Sequence, residues 1–159
     1  MSIAMGADEA GFQLKETLEA YLRESGEDVQ DYGGTSAGEA DYPDVAERVA
    51  VAIATGRHSR GILICGTGIG MAITANKVPG VRAAQAHDTY SAERARKSND
   101  AQIVTLGARV VGPELAKCII RAWLDAEFAG EASPSIQKVR KMIDVDHRYR
   151  DARQDVQES

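Results

Sequence analysis

The chain has 159 residues, of which 43% are hydrophobic and 27% charged, and its formal net charge is -5. That length suits one domain with a real core, and the acidic balance disfavours a nucleic-acid partner. No apolar run approaches the roughly 20 residues of a membrane span, and the N-terminus is too short and too poor in positive charge for a signal peptide.

Short apolar runs alternate with longer amphipathic ones. Ile3-Ala4-Met5 reads as a first strand, and Gly11 to Ser25 as a helix with Phe12, Leu14, Leu18, Tyr21 and Leu22 near helical spacing. Gly26 stops that helix. Asp28 to Tyr32 is a second strand at a sheet edge, and Gly33 to Gly38 a loop. Asp41-Tyr42-Pro43 opens a helix that runs to Thr55. Gly61 to Cys65 is apolar throughout, as expected of a strand covered on both faces. A small-residue segment, Met71 to Asn76, can continue as a helix. Val81 to Ala86 reads as strand, Tyr90 to Ser98 as helix, Ile103 to Leu106 as strand and Gly112 to Phe128 as helix. A Gly/Ala/Ser/Pro stretch, Ala129 to Pro134, leads into a charged helix from Ser135 to Arg150, and Asp151 to Ser159 forms a polar tail.

Five strands alternating with helices predict an α/β fold. It is a Rossmann-like, doubly wound, five-stranded parallel sheet in three α/β/α layers, with an extra C-terminal helix. Residues 1–150 form its single domain, followed by the tail of 151–159. Ligands of such sheets bind beyond the carboxyl ends of the strands, near the switch point.

Cys65 stands at one of those ends, followed by Gly66-Thr67-Gly68-Ile69-Gly70. Backbone N–H groups in such a turn can hold an oxyanion or a phosphate, and a helix start beside a thiol favours its thiolate. The plain alternatives are an inert buried cysteine and a tight turn without a ligand. The turn lacks the arginine that thiol phosphatase chemistry needs after five residues, since Met71 stands there. Its GxGxG spacing is not the GxGxxG of dinucleotide sites and lacks the Lys-Ser/Thr of a P-loop. His58, His87 and His147 have no local signature of a cysteine-protease partner. With three histidines and neither CxxC nor HExxH, no metal site is expected. Cys118 falls on a helix whose apolar positions suggest burial, and two cysteines fit a reducing cytoplasm. Asp8 after the first strand is either a helix cap or an acceptor for hydroxyls. Asn99 and Asp100 read as a helix end, and Arg109 as a surface cation.

Taken together, Gly6-x-Asp8-x-x-Gly11-x-x-Leu14-Lys15, Asp41-Tyr42-Pro43, Cys65-Gly-Thr-Gly-Ile-Gly70 with Ala75-Asn76-Lys77, Tyr90-Ser91-Ala92, Asn99-Asp100 and Gly107-x-Arg109-Val-Val-Gly112 carry a signature. In this order they resemble the type B ribose-5-phosphate isomerase family, which includes the galactose-6-phosphate isomerase subunits. The resemblance implies a cofactor-free, cytoplasmic aldose–ketose isomerase. It also implies a homodimer with each site at the subunit interface, and leaves open whether dimers pair into tetramers. It makes Cys65 the base that moves a proton between C1 and C2, and Thr67 a hydroxyl that assists at the substrate oxygens. The N–H groups of Gly66, Gly68 and Gly70 would stabilise the enediolate. Asp8, Tyr42 and Asn99 would contact the sugar, and Arg109 the substrate or its phosphate.

Three departures bear on the substrate. The family's Asp-His after the first strand is Asp8-Glu9, the histidine before Asn-Asp is Ser98, and the C-terminal Arg-His-x-x-Arg is replaced by a stretch that keeps Lys138. The family assigns that histidine to opening the sugar ring. A tetrose with phosphate on oxygen 4 cannot close a furanose, so Ser98 suits an open-chain substrate. The chain resembles the branch that converts erythrulose 4-phosphate to erythrose 4-phosphate. Ribose 5-phosphate isomerisation is the alternative in class, and a non-catalytic sugar-phosphate-binding homologue the alternative outside it. Glu9 would repel a phosphate it faced and otherwise contacts sugar hydroxyls.

Overall fold

The computed structural model describes residues 2–33 and 40–157, with side chains through residue 150. Five strands, β1 (Ser2–Ala7), β2 (Asp28–Asp31), β3 (Arg60–Cys65), β4 (Ala83–Gln85) and β5 (Ile103–Gly107), form one parallel sheet in the order β2-β1-β3-β5-β4. The expected five-stranded doubly wound sheet is therefore present, with β2 at an edge. Six α-helices join and follow the strands: α1 (Phe12–Glu24), α2 (Tyr42–Ala54), α3 (Ile69–Ala75), α4 (Thr89–Asn99), α5 (Pro113–Leu124) and α6 (Ile136–Gln157).

Alternation along the strands sorts side chains to two faces. Ile3, Met5, Ile62, Ile64, Val104 and Leu106 meet α1, α4 and α5, with Trp123 as the largest buried side chain. Ala4, Leu63, Cys65 and Ile103 meet α2 and α3 through Val45, Val49, Ile53 and Met71. Every residue of β3 is buried, which is why Gly61–Cys65 reads as an unbroken apolar run after the buried Arg60.

The chain winds outward from β1 to β2, then crosses to β3 on the other side of β1. The segment after β1 leads into α1 on one face, and the segment after β3 leads into α3 on the other. The two diverge and leave a crevice between them, the general ligand position of such sheets. Among the described residues no helix is long and apolar enough to cross a membrane.

Four details differ from the sequence reading. Cys118 is exposed, not buried. The buried stripe of α5 is Ala116, Ile119, Ile120, Trp123 and Leu124, and Cys118 falls on the opposite side of that turn. The same helix ends at Leu124 instead of Phe128, where the chain peels off and the Ala126 carbonyl accepts from the buried Arg60 guanidinium at 3.0 Å. β4 is shortened to Ala83–Gln85, because Arg82 donates its N–H to the Gln102 side chain and not to a ladder. Helix α6 runs to Gln157, through most of the expected tail, over a stretch free of glycine and proline. The loop expected at Gly33 to Gly38 lies, beyond Gly33, outside the described residues.

Candidate active site

A cavity of about 850 Å³ opens at the crevice between β1 and β3. Asp8 and Glu9 line it after β1, Asp41 and Tyr42 at the start of α2, Cys65 and Thr67 after β3, and Arg109 after β5. Its size suits a small polar metabolite.

Cys65 ends β3 on the α2/α3 face and is 4% exposed. Its Sγ accepts the backbone N–H of Gly68 at 3.1 Å. Gly68 makes that approach with φ 77, the left-handed region that favours glycine, and a Cβ there would sit 2.9 Å from the Leu106 carbonyl carbon. Two residues on, Gly70 leaves room for the Tyr42 ring, since a Cβ would lie 2.5 Å from it. Thr67 is exposed in the cavity, and its Oγ1 accepts the N–H of Ile69 at 3.2 Å.

The direction of the loop's amides has a simple cause. The Cys65 carbonyl accepts from the Ala108 N–H at 2.8 Å, and that of Gly66 from the Arg109 N–H at 3.1 Å. The Thr67 carbonyl accepts from Gln85 Nε2 at 2.7 Å, and that of Gly68 from Thr105 Oγ1 at 2.7 Å. All four oxygens are thus drawn toward β4 and β5. In a planar trans peptide the N–H opposes the carbonyl. The following amides, Gly66 to Ile69, are therefore turned the other way. Two of them already reach cavity-lining groups, Cys65 Sγ and Thr67 Oγ1. The result is a preorganised set of donors around a thiol, suited to negative charge developing on a substrate oxygen.

Asp8 stands at the turn into α1 and at the cavity wall. One carboxylate oxygen accepts the Gly11 N–H at 3.0 Å and closes the turn into α1, while the residue also lines the cavity. Arg109 lies over the loop, with its Nη1 3.2 Å from where a Gly66 Cβ would be. Among the described residues that line the cavity, three are carboxylates (Asp8, Glu9, Asp41) and only Arg109 is a cation.

Ser98, Asn99 and Lys138 do not line this cavity. Helix α4 starts at the carboxyl end of the sheet and runs back 11 residues. That carries its last turn about 16 Å toward the opposite end. There Ser98 Oγ accepts from the Arg94 guanidinium. Lys138 is exposed on the first turn of α6. Of the other C-terminal cations, Arg140 pairs with Glu131 and Arg150 with Asp146.

Sequence reading used Asp41 only as part of the Asp41-Tyr42-Pro43 motif, set His87 aside for want of a local partner signature, and did not name Gln85 or Thr105. Asp41 could have been found, because it directly precedes a helix at the carboxyl end of the sheet. The other three act through contacts between distant segments and leave no local signal.

The sequence profile of the family described as Ribose/Galactose Isomerase matches residues 3–142. The chain belongs to this family. It is 62% identical over 141 residues to D-erythrulose-4-phosphate isomerase of Pectobacterium atrosepticum, covering 87% of this chain and 93% of the relative. It is 52% identical over 150 residues to ribose-5-P isomerase B of Listeria innocua, covering 94% of this chain and all of the relative. The solved structure of Clostridium thermocellum ribose-5-phosphate isomerase B superimposes with a TM-score of 0.89 at 43% identity, covering 94% of this chain and 99% of that one. The family is one of sugar-phosphate isomerases.

Proposed function

We propose that this sugar-phosphate isomerase interconverts D-erythrulose 4-phosphate and D-erythrose 4-phosphate, with Cys65 as the base. The observation that carries the chemistry is the Cys65 thiol, held by the Gly68 N–H at the cavity's switch-point end while the loop carbonyls point away.

In the ketose-to-aldose direction, the Cys65 thiolate takes a proton from C1. The C1–H electrons form the C1=C2 bond and the charge moves to O2. The amides of the 66–70 loop meet that charge, and one such donor is worth roughly 3–4 kcal/mol of barrier. A proton passes from O1 to O2 with help from Thr67. The Cys65 thiol then returns its proton to C2, which leaves the aldehyde at C1. Nothing is oxidised or reduced overall, so proton transfer alone suffices. Asp8 and Tyr42 orient the sugar hydroxyls.

Ser98 supports the choice of sugar, because an acyclic tetrose phosphate needs no ring-opening histidine. The name of the Pectobacterium relative, at 62% identity, points the same way. Ribose 5-phosphate is the second reading, favoured by the name of the Listeria relative at 52%.

Among the described residues the cavity sets one cation, Arg109, beside three carboxylates, and a phosphate calls for more positive charge than that. A homodimer answers this. The helix end that bears Ser98, Asn99 and Arg94 would enter a second copy's cavity and bring a cation there. Exposed Ile69 and Ile73 on α3, each more than half exposed at the cavity rim, supply an apolar surface for such a contact.

A substrate panel tests the reading. Purified protein should turn over erythrulose 4-phosphate with a higher kcat/KM than ribulose 5-phosphate or ribose 5-phosphate. Faster turnover of the pentose phosphates assigns the second reading instead. No turnover of either, with sugar phosphate still bound, assigns a non-catalytic binding role.

A further inference from the structure

The edge strand β4 lines no part of the cavity, yet Gln85 on it and His87 just past it reach the segments that do. Gln85, its last residue, donates Nε2–H to the Thr67 carbonyl at 2.7 Å. His87, two residues on and just past the strand, accepts the Gly107 N–H on Nε2 at 2.9 Å. The neutral ring then carries its proton on Nδ1. The main-chain ladder between β4 and β5 has ended by this point, its last bond running from the Ala86 N–H to the Thr105 carbonyl at 3.2 Å. The imidazole thus supplies the acceptor that a longer β4 would have offered as a carbonyl.

Both bonds act on the same structure. Gly107 packs directly beneath the loop, where a Cβ would meet the Thr67 Cα at 2.7 Å. From Gly107 the chain continues into the two amides, Ala108 and Arg109, that hold the Cys65 and Gly66 carbonyls. Gln85 holds the next carbonyl in line, that of Thr67. His87 fixes where the two main-chain donors stand, and Gln85 adds the third.

We propose that Gln85 and His87 are positioning residues, a brace from the edge strand that aims the loop amides at the developing enediolate. Neither touches the cavity, so the brace acts on kcat and leaves ground-state binding alone. This rests on the isomerase reading above for its kinetic consequence, but not for its structural one.

Four variants test it. Gln85→Glu keeps size and removes the donor, and the exposed site tolerates the charge. His87→Ala removes the acceptor, His87→Gln restores one as a side-chain carbonyl, and Gln85→Ala controls for charge. Amide hydrogen exchange on the full protein reads the brace without any substrate. The Gly107 amide should exchange roughly tenfold faster in His87→Ala and recover in His87→Gln, and the loop amides of 66–69 should speed up in both Gln85 variants. In the isomerase assay, Gln85→Glu, Gln85→Ala and His87→Ala should lose roughly 10- to 100-fold in kcat with KM within about twofold. His87→Gln should keep kcat within about threefold of wild type. Unchanged exchange overturns the brace. Unchanged kcat in variants whose exchange has risen overturns its catalytic role, as does a change confined to KM. If wild type isomerises no sugar phosphate, the functional reading falls, and the exchange results still decide whether the brace exists.

Discussion

Cys65 is the last residue of a fully buried strand, and the proposed role as base rests on that position. Its Sγ is held by a backbone donor, and its side chain faces the α2/α3 layer beside the crevice. Replacing it with alanine should lower kcat about 10²- to 10⁴-fold, the usual worth of a positioned base, and should stop solvent deuterium from entering the sugar at the same step. Equal exchange in Cys65→Ala and wild type would remove it from the mechanism. Gly70→Ala should act differently. The new Cβ would displace the Tyr42 ring, so KM should rise while the thiol keeps its setting. The 65–70 loop was readable in the sequence because its parts are contiguous: strand end, thiol and glycines follow one another. Tyr42 was singled out only through a resemblance, whereas Asp8 stood out by position with two readings open, and its carboxylate here accepts the Gly11 N–H in the turn before α1. The bonds that Gln85 and His87 make were not readable. Their bonds join residues 18 and 20 positions apart in sequence, and no spacing rule announces them.

Helix α4 shows how local chemistry and long-range geometry divide the work. Its start is local. Asp88, at the N-cap, accepts the Ser91 N–H at 2.6 Å. Chiefly this backbone bond, joined by the Ser91 hydroxyl, holds the Asp88 carboxyl below its ordinary value. The sign follows from linkage. A carboxylate with a depressed folded-state pKa stabilises the fold above its unfolded value, and that contribution fades as pH falls through the folded one. Asp88→Ala should therefore lower Tm at neutral pH, and the gap to wild type should narrow in acid. Asp88→Asn, which still accepts, should lose less at neutral pH. A gap that is constant across pH would remove the carboxylate's charge from the account. The helix's end combines a local turn with one longer-range ion pair. Asp100 takes the left-handed conformation at φ 50, with its carboxylate bound by Arg82 at 3.0 Å and Arg96 at 2.7 Å. The sequence marked both ends of this helix correctly to within a residue. It marked the end of α5 four residues late, because that helix stops to give the Ala126 carbonyl to Arg60, which lies 66 positions earlier.

The molecule as a whole sets up the most demanding prediction. The sheet order puts Cys65 at one end of the fold, and the direction of α4 puts Ser98 and Asn99 toward the other. If the site is completed by a second copy, Cys65→Ala and Asn99→Ala subunits should each be nearly inactive as pure proteins. Mixed by refolding or co-expression, they should regain activity. Half of randomly paired dimers are mixed and hold one intact site of two, so recovery should approach about a quarter of wild type. No recovery, with mixed dimers shown to form, would place the whole site within one chain.

The alternation of apolar strands with amphipathic helices, and the glycine-rich turn after β3, already dictated an α/β sheet and a thiol beside an anion cradle. Those features depend on side-chain periodicity and on steric demands within a few residues, so a linear reading captures them. Which groups meet the thiol is a different matter. The switch between β1 and β3 opened the crevice, the turn of Cys118 to the surface followed from the stripe of α5, and the loop amides acquired their direction from β4 and β5. The crevice and the direction of the loop amides depend on hydrogen bonds or packing between segments far apart along the chain, whose partners are fixed only once the sheet has assembled, whereas the exposure of Cys118 follows from the periodicity of α5 itself.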